Sequence, residues 1–167
     1  MYSWYELSVK TLHASTLYSG KYRLATVIDD QTSRLDSDSD VKEFSRRFHE
    51  GVAQNSNLLN SYADSLRGMY KFYDPIIASA IIQSSLDFVN GCLLETRMDY
   101  QNMPQTRGGE RWAHYFRVMN GITDAYVFIA FPQNLFPNAS AYLQIAPDLG
   151  DFVILGNDIL SYVESQL

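Results

Sequence analysis

Pro75-Ile76-Ile77-Ala78-Ser79-Ala80-Ile81-Ile82 is the stretch from which the rest of this chain is best read. Asp74-Pro75 opens a helix, because proline in the first turn lacks an N–H that would have no partner there anyway. Behind it, at 3.6 residues per turn, apolar side chains fall on nearly every side. A helix apolar all round is normally buried at the centre of a domain. The same character continues through Leu86, Phe88, Cys92 and Leu94. Ala78, Ser79, Ala80, Ser84, Ser85 and Gly91 keep parts of this helix slim, which lets neighbouring helices close in or leaves room for a ligand. Cys92 reads as core filler, in keeping with the usual burial of free cysteine.

Toward the C-terminus, Met98 to Gly109 reads as a loop containing Pro104 and Gly108-Gly109. Glu110 to Phe131 reads as one helix carrying Trp112, Phe116, Met119, Ile122 and Val127. Pro132 and Pro137 bound a short connection, and a last helix is expected over Ser140 to Ser165, with Ser140 as its N-cap and a kink near Pro147 and Gly150. Toward the N-terminus, Leu66 to Tyr73 is amphipathic, and Gln54 to Asn60 is either a loop or a weak helical continuation. Asp40-Val41-Lys42-Glu43 has the pattern of a capping box. It would open a helix reaching about Ala53 that buries Val41, Phe44 and Phe48. Residues 31–40 form a polar acidic loop, Tyr22 to Asp30 a helix end, Ser19-Gly20 a break, and residues 3–14 a first helix. Thr26-Val27-Ile28 alone could pass for a strand, but no hairpin or alternating partner exists for it. The expectation is one all-α unit over residues 1–167.

The chain has 167 residues and a formal net charge of −6. That length suffices for one domain with a real core, and the acidic balance argues against a nucleic-acid partner. Apolar residues make up 46% and charged residues only 19%, which describes much buried surface and few exposed helix faces, as a helix-lined cavity would give. The lone cysteine excludes an internal disulfide and fits a reducing compartment. Met1-Tyr2-Ser3-Trp4-Tyr5-Glu6 lacks the basic start and apolar core of a signal peptide, and no uncharged run is long enough to span a bilayer. A cytoplasmic location is expected, where the sequon Asn138-Ala139-Ser140 is irrelevant.

Gly156-Asn157-Asp158-Ile159-Leu160-Ser161-Tyr162-Val163-Glu164 carries the chemistry. On a helix, Asn157 and Ser161 lie about 40° and one turn apart, with Glu164 about 20° to the other side of Asn157. An amide oxygen, a hydroxyl and a carboxylate are hard ligands suited to Mg²⁺, which commonly shares its shell with substrate phosphates. Taken alone, these nine residues read first as a polar stripe on a surface helix, since short patterns match by accident. A second stretch, Ala25-Thr26-Val27-Ile28-Asp29-Asp30, ends an apolar run in two carboxylates. If both are helices facing one cavity, they would hold a metal cluster between them.

These landmarks give the chain a resemblance to the trichodiene synthase family of fungal class I sesquiterpene cyclases. Tyr2-Ser3-Trp4, Asp29-Asp30, Ser85-Leu86-Asp87-Phe88-Val89-Asn90-Gly91-Cys92, Arg117-Val118-Met119-Asn120-Gly121 and Asn157-Asp158-Ile159-Leu160-Ser161-Tyr162 stand in the family's order. The resemblance implies an all-α class I terpenoid synthase bundle, here its central portion, that uses Mg²⁺ to ionise and cyclise a prenyl diphosphate, with farnesyl diphosphate as the expected substrate. By position, Asp29 would lead the aspartate-rich metal motif, and Asn157 and Ser161 would supply two of the three ligands of the second. Arg117 would sense the diphosphate, with Asn120 and Gly121 linking that sensing to helix bending. Two features depart from the family pattern. Ser165 stands where a glutamate is expected and Glu164 where a lysine is expected, so Glu164 becomes the candidate third ligand. After Asp29-Asp30 no acid follows one turn on. The helices expected before Tyr2 and after the second metal motif, with a late Arg-Tyr pair, are absent from this sequence, so little or no turnover is expected from it alone.

In such a cyclase the departing diphosphate carries several negative charges, which metal ions and arginine neutralise. Arginine suits that task through its planar fork of donors. The carbocation left behind needs an apolar aromatic pocket, for which Phe88, Trp112, Phe116, Tyr126 and Phe131 are candidates by type and equally plain core residues. Arg117 alone reads as a surface arginine or a partner for Glu95 or Glu110, and Asp30 is either a supporting carboxylate or a solvated helix end. His13, His49 and His114 show no ligand spacing, so a zinc or hydrolase site is not supported. Two competing readings stand beside the cyclase. One is a non-catalytic helical protein that binds diphosphate weakly or assembles with a partner, a homodimer included. The other is a chain-elongating prenyltransferase, which normally needs two rich Asp-Asp motifs where one thin motif is present.

Overall fold

A computed structural model describes residues 40–164, with side chains through Ile159. The expectations for residues 1–39, including Asp29-Asp30, and for Ser165 lie outside the described residues. Every regular element among the described residues is helical, as the missing strand patterns imply. The α-helices are α1 (Phe44–Glu50), α2 (Asn57–Arg67), α3 (Pro75–Glu95), α4 (Met98–Gln101), α5 (Trp112–Asn120), α6 (Thr123–Ile129) and α7 (Ala146–Glu164). Single 3₁₀ turns occupy Asp40–Glu43, Gly68–Lys71, Ala139–Ala141 and Leu143–Ile145.

Helix α3 is the axis of the fold. Ile77, Ala78, Ile81, Val89 and Cys92 on it are almost completely buried, each large apolar side chain contributing about 1.5–3 kcal/mol by leaving water. Helices α1 and α2 cover α3 with Phe44, Leu59, Tyr62 and Leu66, while α5 and α6 pack on it as well and α7 packs on α6. By length and mean hydropathy α3 would also pass for a membrane span, yet 56% of its most apolar window is buried within the fold, as in the core helix of a soluble domain.

The helix ends follow local chemistry. Asp74 caps α3 by accepting from the Ile76 amide at 2.9 Å, with Pro75 in the first turn. Ser56 caps α2 by accepting from the Leu59 amide, so the polar stretch before it is a loop and not a helix continuation. Gly51 (φ 71°) ends α1 in the left-handed conformation that glycine adopts without strain. The helix therefore stops at Glu50, short of Ala53.

Four further expectations need correction. Met98 to Gly109 is not loop throughout, because Met98–Gln101 forms the short helix α4. The capping box at Asp40–Glu43 does not form, because the Glu43 carboxylate accepts from Nε and Nη2 of Arg46, ahead of it in the chain, in place of reaching back to the Asp40 amide. The last helix begins at Ala146, so Pro147 lies in its first turn, where it fits without a kink, and Asn138 caps the preceding 3₁₀ turn in place of Ser140. The single helix expected over Glu110 to Phe131 is two, α5 and α6, separated at Gly121-Ile122. The apolar periodicity runs through the break because Ile122, Ala125, Val127 and Phe128 are all buried.

Helix α6 is held at both ends by residues outside it. It starts after Ile122, whose φ of 49° is left-handed, and its cap supplies no side-chain hydrogen bond. Instead Ser84 of α3 accepts from the Ala125 amide at 3.2 Å. At the far end the hydroxyl of buried Tyr73 donates to the Ile129 carbonyl at 3.0 Å. Ser84→Ala and Tyr73→Phe should each lower unfolding stability by about 1 kcal/mol, and the double variant by about the sum, because the two bonds are at opposite ends of the helix. Denaturant titration followed by circular dichroism measures this.

Candidate functional site

The site is built where the end of α5, the start of α6 and the middle of α7 meet beside α3. Arg117 lies in the last turn of α5 and reaches across to α7. Its Nε and Nη2 both donate to Oδ1 of Asp158, at 2.9 and 2.6 Å. Neither Glu95 nor Glu110 is its partner. Glu95 of α3 instead accepts from Nδ2 of Asn120, and Cys92 Sγ lies 3.7 Å from the Asn120 Oδ1 that accepts from it. Gly91 lets α5 come close here: a Cβ there would sit 3.3 Å from the Asn120 Cα, and α5 would have to give by a few tenths of an ångström.

Gly121 follows at a second close approach. A Cβ at this position would stand 2.8 Å from the Arg117 carbonyl oxygen and 3.1 Å from Arg117 Nη1. The first distance is shorter than real contacts allow, so only glycine fits. The chain then passes through Ile122 in the left-handed region, a sparsely populated conformation for a β-branched residue. Gly150 of α7 repeats the device, since a Cβ there would meet Thr123 Cγ2 at 2.9 Å. Thus α7 rests directly on the first residue of α6, and Ile154 is buried one turn further on.

Of the residues named from the sequence, Arg117, Asn120 and Gly121 come together, and Asn157 stands next to the Asp158 that binds Arg117. Asn157 is exposed, and Ser161 and Glu164 follow on later turns of the same helix. The side chains of Ser161 and Glu164, and all of Asp29, lie outside the described residues. Among the described residues no group of three or more His, Cys, Asp and Glu is placed to share a metal ion. The donors named for Mg²⁺ on α7 are oxygen-bearing and recur along one helix, which suits a hard cation. Phe88 is buried in the core cluster. Trp112 and Phe116 stack on α5 at 5.6 Å, and Phe131 stacks flat on Tyr142 at 4.3 Å. Asp158, Ile122 and Gly150 are the contributors that sequence reasoning missed. The Arg117–Asp158 pair spans 41 residues and leaves no periodic trace.

A cavity of about 240 Å³ opens beside this junction, lined by Gln83, Ser84 and Asp87 of α3, Val118 and Met119 of α5, and Asp124 of α6. Burial pushes the Asp87 carboxyl above its ordinary value, and the neighbouring Asp124 adds to the shift by like-charge repulsion.

Residues 1–166 match the family model of trichodiene synthase. A terpene synthase of Cochliobolus sativus is 35% identical over 144 residues, 86% of this chain and 43% of that protein. A longiborneol synthase of Gibberella zeae is 34% identical over 146 residues, again 86% and 43%. An (E)-beta farnesene synthase of Metarhizium brunneum is 30% identical over 147 residues, 86% of this chain and 44% of that protein. The chain spans less than half the length of the curated relatives it matches.

Two outcomes are expected. Gly121→Ala should lower stability by about 1–3 kcal/mol, because the added methyl must displace backbone and not a flexible side chain; chemical denaturation reads this. A raised Asp87 pKa means that its ionised form opposes folding, so this penalty is absent below the unfolded aspartate value of 3.8 and grows as pH rises through the folded value. Asp87→Asn should therefore melt above the wild type at pH 7, and the gap should narrow as the pH is lowered toward 3.8.

Proposed function

The chain belongs to the trichodiene synthase family, and we propose that it carries out the Mg²⁺-dependent ionisation and cyclisation of a prenyl diphosphate, farnesyl diphosphate in particular, to a sesquiterpene. The observation that carries this reading is the ion pair between Arg117 and Asp158. It joins the arginine that would meet the diphosphate to the helix that would hold the metal, one residue from Asn157. Asp29, Asn157, Ser161 and Glu164 are the proposed Mg²⁺ ligands, and the bound metal would supply Lewis-acid neutralisation of the departing diphosphate.

The chain's own groups have separable tasks. The Arg117 guanidinium offers rigid, permanently charged donors to phosphate oxygens, so it stabilises charge as the C–O bond lengthens without being consumed. The Gly121 amide donates to the Arg117 carbonyl at 2.9 Å. Any shift of Arg117 toward a ligand therefore bears on the α5–α6 break, while Glu95 and Asn120 hold the end of α5 to α3. Aromatic rings of the kind stacked at Trp112 and Phe116 would exclude water from a carbocation and stabilise its charge. A cytoplasmic location fits a chain whose one cysteine is reduced and buried.

One observation favours a second reading, a non-catalytic helical protein that assembles with a partner or a second copy. Phe152, Leu155 and Ile159 of α7 are 74%, 61% and 64% exposed and share one stripe.

The native protein, incubated with Mg²⁺ and farnesyl diphosphate, should release a volatile hydrocarbon or alcohol detectable by gas chromatography, and a chelator should abolish it. Asn157→Ala should lower the rate at least about tenfold. Undiminished turnover by that variant would remove Asn157 from the metal site. No product at all, together with a stable dimer in sedimentation, would favour the assembly reading.

A further inference from the structure

We propose that Asp158 is a positioning residue for Arg117: it holds one edge of the guanidinium so that the other edge is presented to the diphosphate. This rests on the diphosphate reading of Arg117 given above. A guanidinium has five N–H donors in a rigid plane. Asp158 engages it through Nε and Nη2 together, both directed at the single oxygen Oδ1. Among the described residues no acceptor is placed on Nη1 or on the second hydrogen of Nη2, and glycine at 121 keeps space beside Nη1 that a Cβ, at 3.1 Å, would take. The plane is thus anchored along one edge by a carboxylate from α7, with the other edge left for a ligand.

Magnitudes separate positioning from stabilisation. The side chains of Arg117 and Asp158 are 31% and 50% exposed, and an ion pair so open to water adds little to folding. The seat of α7 is set by Gly150 against Thr123 and by the burial of Ile154. What the pair does define is direction, since two donors on one acceptor remove the rotation that a long arginine side chain otherwise keeps. Orientation before binding matters for affinity because the ligand then need not order the side chain itself.

Because both donors meet one oxygen, an amide oxygen can replace the carboxylate. The test is the affinity of the native protein for inorganic diphosphate with Mg²⁺, measured by calorimetry. Asp158→Ala should weaken binding about tenfold, Asp158→Asn should stay within about threefold of wild type, and Arg117→Ala should weaken it at least as much as Asp158→Ala. The double variant Arg117→Ala with Asp158→Ala should match Arg117→Ala alone, since a positioning residue has nothing left to position. A structural role would instead add its loss to that of Arg117. Wild-type affinity in Arg117→Ala overturns the role of Arg117 and this inference with it. A loss in Arg117→Ala alongside wild-type affinity in Asp158→Ala, or additive losses in the double variant, overturns the role of Asp158 alone. Far-UV circular dichroism checks that each variant folds. Asp158→Ser, too short to reach the guanidinium, replaces Asp158→Ala if the latter loses its helical signal, with the same expected values.

Discussion

Helix α6 begins at a residue that gives it no cap. Ile122 is left-handed and offers no side-chain acceptor, so the amides of the first turn need partners from elsewhere. Ser84 supplies one from α3, and the Tyr73 hydroxyl binds a carbonyl at the other end. Gly121 itself keeps right-handed backbone angles, so the break between α5 and α6 lies at Ile122. With these bonds, α6 is a separate helix seated on α3, and α7 packs on it within reach of Arg117 at the end of α5. The arrangement of the site therefore depends on α3 being held rigidly at the centre, and burial of its apolar side chains provides that.

Close backbone contacts do the rest. Gly91 and Gly150 stand where a Cβ would press on another element, at Asn120 and Thr123, and Gly121 where it would press on its own helix at the Arg117 carbonyl and on Thr123 Oγ1 of α6. They form a chain of approaches running from α3 through α5 and α6 to α7. Packing of this kind does not deform gradually, because interiors are already close to crystal density. The exposed ion pair to Asp158 is weak beside these contacts, which is why direction and not stability is its contribution.

Helix α7 has two characters. One side meets α6 through Gly150 and Ile154 and carries Asp158 toward Arg117. The other bears exposed Phe152, Leu155 and Ile159. An isolated surface helix would place polar groups there. The polar residues named as metal ligands thus share their helix with an apolar stripe, and the first of them, Asn157, adjoins the residue that makes the contact across to α5.

Much of this was legible in the sequence. The all-round apolar run after Pro75 identified α3 as the central helix, because burial on every side leaves a compositional mark. The order of five short segments, Tyr2-Ser3-Trp4, Asp29-Asp30, Ser85 to Cys92, Arg117 to Gly121 and Asn157 to Tyr162, pointed to the family that the match over residues 1–166 shows. Asp74-Pro75 marked a helix start, since capping is local chemistry within a few residues. The tertiary structure alone decided the rest. It split Glu110–Phe131 into two helices, since an apolar pattern continues through a break whose residues stay buried. It chose Asp158 over Glu95 and Glu110 for Arg117 and gave Glu95 to Asn120. Those choices are between groups of equal chemistry far apart along the chain, and only the distance at which packing leaves them can settle which pair forms.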